Sequence, residues 1–173
     1  MASFTSPESN GPGAAPAFDV CELDVAEDAT AAAVHRIGRR AYAVEAELIG
    51  FDGIPPLRES LAEMRVQPLR WLGATLADDG RIAAFLAWRS PADANIVDID
   101  RVCVDPAWFR HGLASRLIGR LLVDLAPIGD VRVSTGADNI PAVALYEGLG
   151  FSRVGIIEPA PGLRVAEFLL TRN

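Results

Sequence analysis

The chain has 173 residues, of which 50% are hydrophobic and 23% are charged, and its net charge is −7 at neutral pH. A chain of this length and apolar content is expected to form one domain with a sizeable core. The acidic balance argues against a nucleic-acid partner, which would require a basic face, and the absence of an apolar run of roughly 18 residues argues against a membrane helix.

Residues 1–16 differ in composition from the rest of the chain. They are mainly Ala, Ser, Pro and Gly, so we expect a disordered tail in front of a single domain over residues 17–173. The N-terminus does not show a basic segment followed by an apolar one, so we expect no signal peptide. Cys21 and Cys103 could pair, but buried free thiols in a reducing cytosol fit their apolar runs better, which predicts a cytoplasmic protein. No His-rich group accompanies them, so we expect no metal site.

The periodicity of the first ninety residues predicts a strand, two helices and a β-hairpin. The first helix begins with the acids Glu27 and Asp28, which suit the helix dipole. Its buried face is expected to carry Val34, Ile37, Ala41, Val44 and Leu48. In order, the elements are the strand Phe18–Val25, the helix from Glu27, a helix at Leu57–Val66, and the strands Trp71–Ala77 and Ile82–Trp88 around an Asp-Gly turn.

The rest of the chain predicts four further strands and two helices. Asn139 can cap the second of these helices, and Pro141 is tolerated in its first turn. In order, the elements are the strand Ile96–Val104, a helix from Leu113 that ends before Pro127, the strand Val131–Thr135, the helix between Asn139 and Gly148, and the strands Phe151–Ile157 and Leu163–Leu170. We therefore expect an α/β fold with a mixed sheet of about seven strands flanked by about four helices.

Residues 98–117 combine a buried strand, a turn and a helix N-terminus. Asp105-Pro106 ends the strand, and a helix with a stripe of leucines opens behind Gly112. The first N–H groups of a helix lack partners within it and attract anions, and Gly112 and Ala114 leave room for a phosphate near the backbone. Positive charge comes from Arg110, Arg116 and Arg120. The stretch could hold a pyrophosphate, although a glycine in such a turn is most often only turn geometry.

Two motifs resemble those of the GNAT superfamily of N-acetyltransferases. Val104-Asp105-Pro106 and then Phe109-Arg110-His111-Gly112-Leu113-Ala114 resemble the family's Val-x-Pro and Gln/Arg-x-x-Gly-x-Gly/Ala, with Phe109 in the place of Gln or Arg. Residues 139–151 resemble its Asn-x-x-Ala-x-x-Leu-Tyr-x-x-x-Gly-Phe signature. The resemblance covers about residues 18–171, and the two motifs stand in the family's order.

The resemblance implies a centrally splayed sheet, with the pantetheine arm of acetyl-CoA inserted between the strands that end near Val104 and Thr135. It implies that the backbone of Val102, Cys103 and Val104 bonds the acetyl group and the arm, and that Asn139 contacts the arm. The pyrophosphate is then expected at Arg110, His111, Gly112, Leu113, Ala114 and Ser115. The implied reaction is direct transfer of the acetyl group from acetyl-CoA to a primary amine.

Tyr146 is the first candidate catalytic residue. It matches the tyrosine that protonates the departing thiolate in the family, where it also belongs to the acetyl-CoA site. A phenol has an unperturbed pKa of about 10, so it is protonated at neutral pH and can donate. The alternative is an aromatic residue of the core, because leucines flank it.

Asp98 and Asp100 are the candidate proton acceptors for the amine. Strand side chains alternate, so we expect both on the same face as Val102 and Val104, and family members often draw their base from this strand. The alternative is that these aspartates do not act as a base and that either of them pairs with a neighbouring arginine, at position 89 or 101.

The sequence does not identify the amine acceptor. An acidic surface would favour cationic acceptors on approach, and four acids could either line an acceptor cleft or be solvated surface charges: Glu45, Glu47, Asp52 and Glu158. The rival to an enzyme is a non-catalytic CoA-binding sensor or regulatory domain on the same fold, towards which only Phe109 points. The sequence also leaves open whether the protein forms a homodimer.

Overall fold

Seven β-strands form one mixed sheet in the computed structural model, which describes residues 15–90 and 95–172. The strands are β1 (Phe18–Glu22), β2 (Arg70–Leu76), β3 (Ile82–Arg89), β4 (Ile96–Val104), β5 (Asp130–Gly136), β6 (Ser152–Ala160) and β7 (Leu163–Leu170). Their order in the sheet is β1-β2-β3-β4-β5-β7-β6. Only β4 and β5 are parallel among the strand pairs of the described residues. Residues 1–14 of the expected tail lie outside the described residues.

Four α-helices flank this sheet, which confirms the predicted fold class. They are α1 (Asp28–Ile49), α2 (Leu61–Arg65), α3 (Leu113–Arg120) and α4 (Ile140–Gly148). Short 3₁₀ turns lie at Pro55–Leu57 and Pro106–Trp108, and a π-helical turn at Leu121–Leu125 follows α3. In the part of the chain that is described, no helix is both long and apolar enough to cross a membrane.

Two of the predicted helices differ from the observed ones. The helix expected at Leu57–Val66 is interrupted, because Ser60 caps α2: its hydroxyl accepts from the Glu63 amide at 3.2 Å, and the Glu63 carboxylate accepts from the Ser60 amide at 2.7 Å. This reciprocal pair is a capping box, which starts a helix. The central helix continues beyond Arg120 with π-helical bonding, in which the Ala126 amide donates to the Leu121 carbonyl.

Each face of the sheet has its own core. On one face, α3 buries its leucine stripe and α4 its apolar residues against β1 to β5 and β7, and Leu113, Leu117, Ile118 and Leu121 are almost fully buried. On the other face, α1 and α2 cover a smaller core that includes Val34, Ile37 and Met64. The two cores hold the central strands between two helical layers, so a ligand can enter the sheet only where the strands separate.

Candidate active site

The sheet opens between β4 and β5 past the middle of both strands. Their parallel pairing runs from Ile96 opposite Asp130 to Ile99 opposite Val133 and stops there. β4 continues along β3, and β5 continues along β7. Among the described residues, the facing edges of 100–104 and 134–136 therefore have no strand partner, which confirms the expected splay. Free backbone N–H and C=O groups on such edges can bond an extended ligand.

A β-bulge in β4 changes the direction in which its side chains point. β3 and β4 slip by one residue, so Asp100 has no residue opposite it. Ile99 lies in the core beneath α3 before the bulge, and Val102 and Val104 pack against that same core after it. Asp98 therefore points away from this core, towards the α1 face. The expectation that Asp98 and Asp100 share a face with Val102 and Val104 was wrong, because strict alternation ends at the bulge, and Asp100 lies beside the segment between α1 and α2.

The chain leaves β4 in a fixed direction because Asp105 is anchored. Its carboxylate is buried, accepts from Arg40 Nη1 of α1 at 2.9 Å and accepts from the Ala107 amide at 3.0 Å. Its amide donates to the Ala83 carbonyl of β3. Arg40 is half-exposed, so we ascribe to this ion pair mainly the orientation of the loop that leads to α3.

This loop delivers an uncapped helix N-terminus. Arg110 and Gly112 both have left-handed backbone conformations, with φ of 66° and 70°. The first recorded bond into the helix is from the Arg116 amide to the Gly112 carbonyl, and no side chain caps the three amides before it. A Cβ built on Gly112 would meet nothing within 4 Å. Open space, free amides and the positive end of the helix dipole therefore coincide, as an anion site requires.

One cleft of about 500 Å³ joins this helix N-terminus to the gap in the sheet. Its walls come from both faces of the sheet: the ends of α3 and α4 on one side, and the last turns of α1 on the other. Most of the residues predicted to bind acetyl-CoA line it, namely Val102, Cys103, Val104, Arg110, Gly112, Leu113, Ala114, Ser115 and Asn139. The structure thus brings together residues that the two motifs place 25 or more positions apart.

Two of the three arginines expected to add positive charge near the turn direct their guanidinium groups to other partners. Arg116 donates to the Phe18 carbonyl at 2.7 Å, and Arg120 pairs with Asp124 at 2.6 Å. Arg110 is exposed and lines the cleft, and the structure records no ion pair for it within the described residues. Backbone amides and Arg110 are therefore the groups that can meet an anion here.

His111 does not line the cleft. Its ring packs edge-on against Phe18 and Trp108, with ring centroids 5.9 and 5.6 Å away, and its Nδ1 lies 3.0 Å from the Phe109 carbonyl oxygen. Only its backbone belongs to the turn, so its part in phosphate binding stays a prediction.

Tyr146 lies beneath the cleft and not on its surface. The side chain is buried, with ring centroids 5.9 Å from Phe151 and 5.6 Å from Phe168. Burial raises the pKa of its phenol, and the nearby Glu45 carboxylate and Cys103 side chain raise the pKa further. Both of those residues line the cleft, so the phenol is electrostatically coupled to it and stays protonated at neutral pH.

Asp98 and Asp100 both have arginine partners and lie outside this cleft. Asp98 accepts from Arg89 Nη2 at 2.8 Å and from Arg132 Nε at 3.3 Å. Asp100 accepts from Arg101 Nε at 2.9 Å and lines a second cleft, of about 730 Å³, beside the segment between α1 and α2. The pairing with arginines that the sequence left open is therefore present. Whether either aspartate also accepts a proton stays a prediction.

The apolar part of the α1 wall was not predicted, whereas Glu45 alone of the four acids that could line an acceptor cleft does line this one. Ala41, Val44 and Leu48 belong to the stripe that we assigned to the core, but here they line the cleft, and Leu48 is 49% exposed. Tyr42 and Glu45 stand beside them. The signal in the sequence was the length of this apolar stripe, since packing on the smaller core extends along α1 only as far as Ala41 and Tyr42.

The polar side chains at the base of the cleft are neutral apart from Glu45. Burial raises the pKa of the Cys103 thiol to about 12, against a smaller lowering by a hydrogen bond from Tyr42. Burial also raises the pKa of the Tyr42 phenol well above its ordinary value. No group of three or more His, Cys, Asp or Glu side chains in the described ranges is placed to hold a metal ion.

This architecture is that of a known class of transferases. Residues 39–151, more than half of the chain, match the model of the acetyltransferase (GNAT) family. The match spans β4, α3, β5 and α4, the elements that form most of the cleft. The chain therefore belongs to the acetyltransferase (GNAT) family, which confirms the resemblance seen in its motifs.

The chain matches only part of the length of two curated relatives. UPF0157 protein YqkA of Bacillus subtilis is 30% identical over 75% of this chain and 37% of that protein. The [ribosomal protein bS18]-alanine N-acetyltransferase of Salmonella typhimurium is 35% identical over 50% of this chain and 59% of that enzyme. The matches thus span less than two thirds of both relatives.

Solved structures show the same fold at low identity. The ribosomal-protein-S18-alanine N-acetyltransferase of Escherichia coli has a TM-score of 0.68 and 22% identity, and the match covers 90% of this chain and 94% of that one. The PaiA N-acetyltransferase of Thermoplasma acidophilum, in complex with coenzyme A, has a TM-score of 0.66 and 13% identity over 87% of this chain and 98% of that one.

Proposed function

We propose that this protein is an acetyl-CoA-dependent N-acetyltransferase that moves the acetyl group directly to a primary amine. The observation that carries the proposal is the single cleft that joins the uncapped N-terminus of α3 to the open edges of β4 and β5. A diphosphate at the helix N-terminus and an extended amide-containing arm between the strands would use both sets of unpaired backbone groups. Residues 17–173 would form the catalytic domain.

Each part of acetyl-CoA has a matching part of the cleft. The amides of Leu113, Ala114 and Ser115 would meet the pyrophosphate, with Arg110 at the rim. Asn139 already caps α4 through its Oδ1, which accepts from the Ala142 amide at 3.3 Å, and its side-chain NH₂, which has no recorded partner within the described ranges, can contact the arm. The backbone of 102–104 would bond the arm. One of its N–H groups would donate to the acetyl carbonyl oxygen and stabilise the negative charge that develops there.

Transfer would proceed in one step between the two bound substrates. The neutral amine nitrogen attacks the acetyl carbonyl carbon, the carbon–sulfur bond breaks, and the thiolate receives a proton from the phenol of Tyr146. The raised pKa of Tyr146 keeps that proton in place until the thiolate forms. The proton lost by the amine would pass to Asp98 or Asp100, through water because neither lines the cleft.

The relatives support this reaction class. Two of the proteins described above are named as alanine N-acetyltransferases, and a structural neighbour is a complex with coenzyme A.

Phe109 stands at the cleft where the motif usually has Gln or Arg, and it is 41% exposed. A cytoplasmic location is part of the proposal, and it is supported by two free thiols: Cys103 is buried as expected, whereas Cys21 is exposed and not buried as we expected.

A thiol-release assay tests the proposal. The protein is incubated with acetyl-CoA and a panel of small amines and peptides with free N-termini, and release of the CoA thiol is followed. We expect amine-dependent release, together with a rise in melting temperature with acetyl-CoA alone, because a ligand that binds the native state stabilises it. Stabilisation without release for any amine would instead establish the non-catalytic CoA-binding domain.

A further inference from the structure

Glu45 is the only carboxylate among the residues that line the cleft in the described part of the chain. It lies on α1, the wall opposite the N-terminus of α3, so it faces the gap from the side away from the anion site. If the diphosphate enters from the α3 side, the acetyl group at the far end of the arm reaches the α1 side. Glu45 is therefore placed on the acceptor side of the sheet.

The end of β5 holds the Glu45 side chain in place. Its Oε1 accepts from Thr135 Oγ1 at 3.0 Å and from the Gly136 amide at 3.1 Å. The structure records no partner for its Oε2 within the described residues. A Cβ on Gly136 would lie 3.3 Å from this Oε1 and 2.7 Å from Ile49, so glycine lets α1 approach the strand end. One oxygen is thus fixed and the other is available.

Glu45 differs from the other buried or half-buried carboxylates near the gap. Asp98, Asp100 and Glu59 each have an arginine within 3.3 Å. Asp105 has Arg40 at 2.9 Å. No basic side chain lies within 4 Å of Glu45 in the described residues. A half-buried carboxylate without a cation is an unfavourable arrangement that an incoming cation would relieve.

The groups around Glu45 supply no competing cation. On α1, Tyr42 is neutral because burial raises the pKa of its phenol. From β4 and α4, Cys103 and Tyr146 are neutral for the same reason. Arg110 lies at the α3 end of the same cleft, where the pyrophosphate is proposed to bind.

We propose that Glu45 binds the ammonium group of the acceptor, and that the protein therefore selects primary amines that carry no carboxylate next to the nitrogen. This inference rests on the proposed function and names its substrate class. A carboxylate beside the amine would be repelled by Glu45, because two like charges would share a site of low dielectric. An alkyl ammonium or the protonated N-terminus of a peptide would instead form a charge-assisted hydrogen bond to Oε2, and it would lose one proton before its neutral nitrogen attacks the acetyl carbon.

The test is Glu45→Gln, with Glu47→Gln as the matched control. Glutamine keeps an acceptor for Thr135 and Gly136, so the fold is preserved while the charge is lost. Glu47 is on the same helix, but it is exposed and does not line the cleft. Initial rates are measured at saturating acetyl-CoA with four acceptors: an alkylamine, a peptide amide, the corresponding free amino acid, and hydroxylamine, whose nitrogen is neutral at neutral pH.

We expect wild-type protein to prefer the alkylamine or the peptide amide over the free amino acid, and the better of the two identifies the source of the ammonium group. Glu45→Gln should raise KM for the cationic acceptor roughly ten- to a hundredfold, as expected for a hydrogen bond to a charged group. It should leave the rate with hydroxylamine and the stabilisation by acetyl-CoA unchanged. Glu47→Gln should change none of these values by more than about twofold, as expected for exposed surface sites.

Three outcomes overturn the inference. An unchanged KM for the cationic acceptor removes Glu45 from the acceptor site, and an equal loss with hydroxylamine assigns it a structural role in holding β5. A wild-type preference for the free amino acid over its amide refutes the substrate class. Absence of turnover with all four acceptors in wild-type protein overturns the proposed function itself and is seen before any variant is made.

Discussion

The two walls of the cleft differ in the kind of group they present. The wall formed by α3 and α4 presents free backbone amides and the capping Asn139 among apolar side chains such as Leu113 and Leu145. The wall formed by α1 presents side chains, namely Tyr42, Glu45 and an apolar row. Backbone amides suit acetyl-CoA, which is the same substrate in every turnover. Side chains are better suited to determine which acceptor binds. The difference teaches that binding of acetyl-CoA and choice of acceptor should be separable by mutation.

The largest expected effect comes from the residue that lies beneath both walls. Tyr146→Phe should lower turnover about a hundred- to ten-thousandfold, because the thiolate would lose its proton donor. Affinity for acetyl-CoA should stay unchanged, because phenylalanine keeps the buried ring and removes only the hydroxyl. Because burial raises the pKa of this phenol, any alkaline limb that it causes in the wild-type rate profile should lie above about pH 10.

Steady-state kinetics and melting temperatures with and without acetyl-CoA measure both parts of this prediction. Turnover of Tyr146→Phe within a few fold of wild type would return Tyr146 to the role of a core aromatic residue. An alkaline limb that persists in the variant would belong to another group.

The next largest effect should come from the α3 wall. Gly112→Glu should abolish the stabilisation by acetyl-CoA, about 2.7 kcal/mol at a ligand concentration of 100 Kd. The new carboxylate would meet the pyrophosphate, and the φ of 70° disfavours any residue but glycine. Gly119→Glu is the matched control, because a Cβ at Gly119 also meets nothing within 4 Å and the residue does not line the cleft.

Thermal unfolding over a range of acetyl-CoA concentrations compares the two glycine variants. Gly112→Ala separates backbone strain from charge, since it has the first without the second. Full stabilisation of Gly112→Glu would place the diphosphate elsewhere and break the assignment of the α3 wall.

A smaller effect is expected from the aspartates of β4. If Asp98 or Asp100 accepts the amine proton through water, its Asn variant should lower the rate about tenfold, below the roughly hundredfold contribution of a base in direct contact. The acidic limb of the rate profile should change in that variant, because a proton acceptor is lost as pH falls. The two variants are made singly, so that each carboxylate is tested on its own. An unchanged acidic limb in both would leave the proton to another acceptor.

The smallest effect is expected from removal of residues 1–16. Their composition has too little apolar bulk to form a core, and neither described wall of the cleft draws on them. Melting temperature and turnover should match those of the full chain. A fall of several degrees would show that these residues contribute to the folded state and would extend the comparison beyond the two walls.

Local sequence was sufficient for most of the fold. Period-two and helical patterns predicted all seven strands and the four helices, because each element has one face to bury and turns rich in Gly and Pro separate them. β7 was predicted at its observed bounds, Leu163–Leu170. The errors lie where one residue redirects the chain: Ser60 starts α2 later than expected, and the bulge at Asp100 reverses the alternation of β4.

For the site, the sequence by itself determined the α3 wall, because Gly112 and the residues around it act through backbone geometry that a short motif encodes. Tertiary structure alone decided the α1 wall. The apolar row of α1 looks the same whether it packs on a core or borders a cleft, and only the separation of β4 from β5 makes the second half of it a cleft wall. Glu45 was one acid among several, until the 3.0 Å contact with Thr135, 90 positions away in the chain, placed it at the gap.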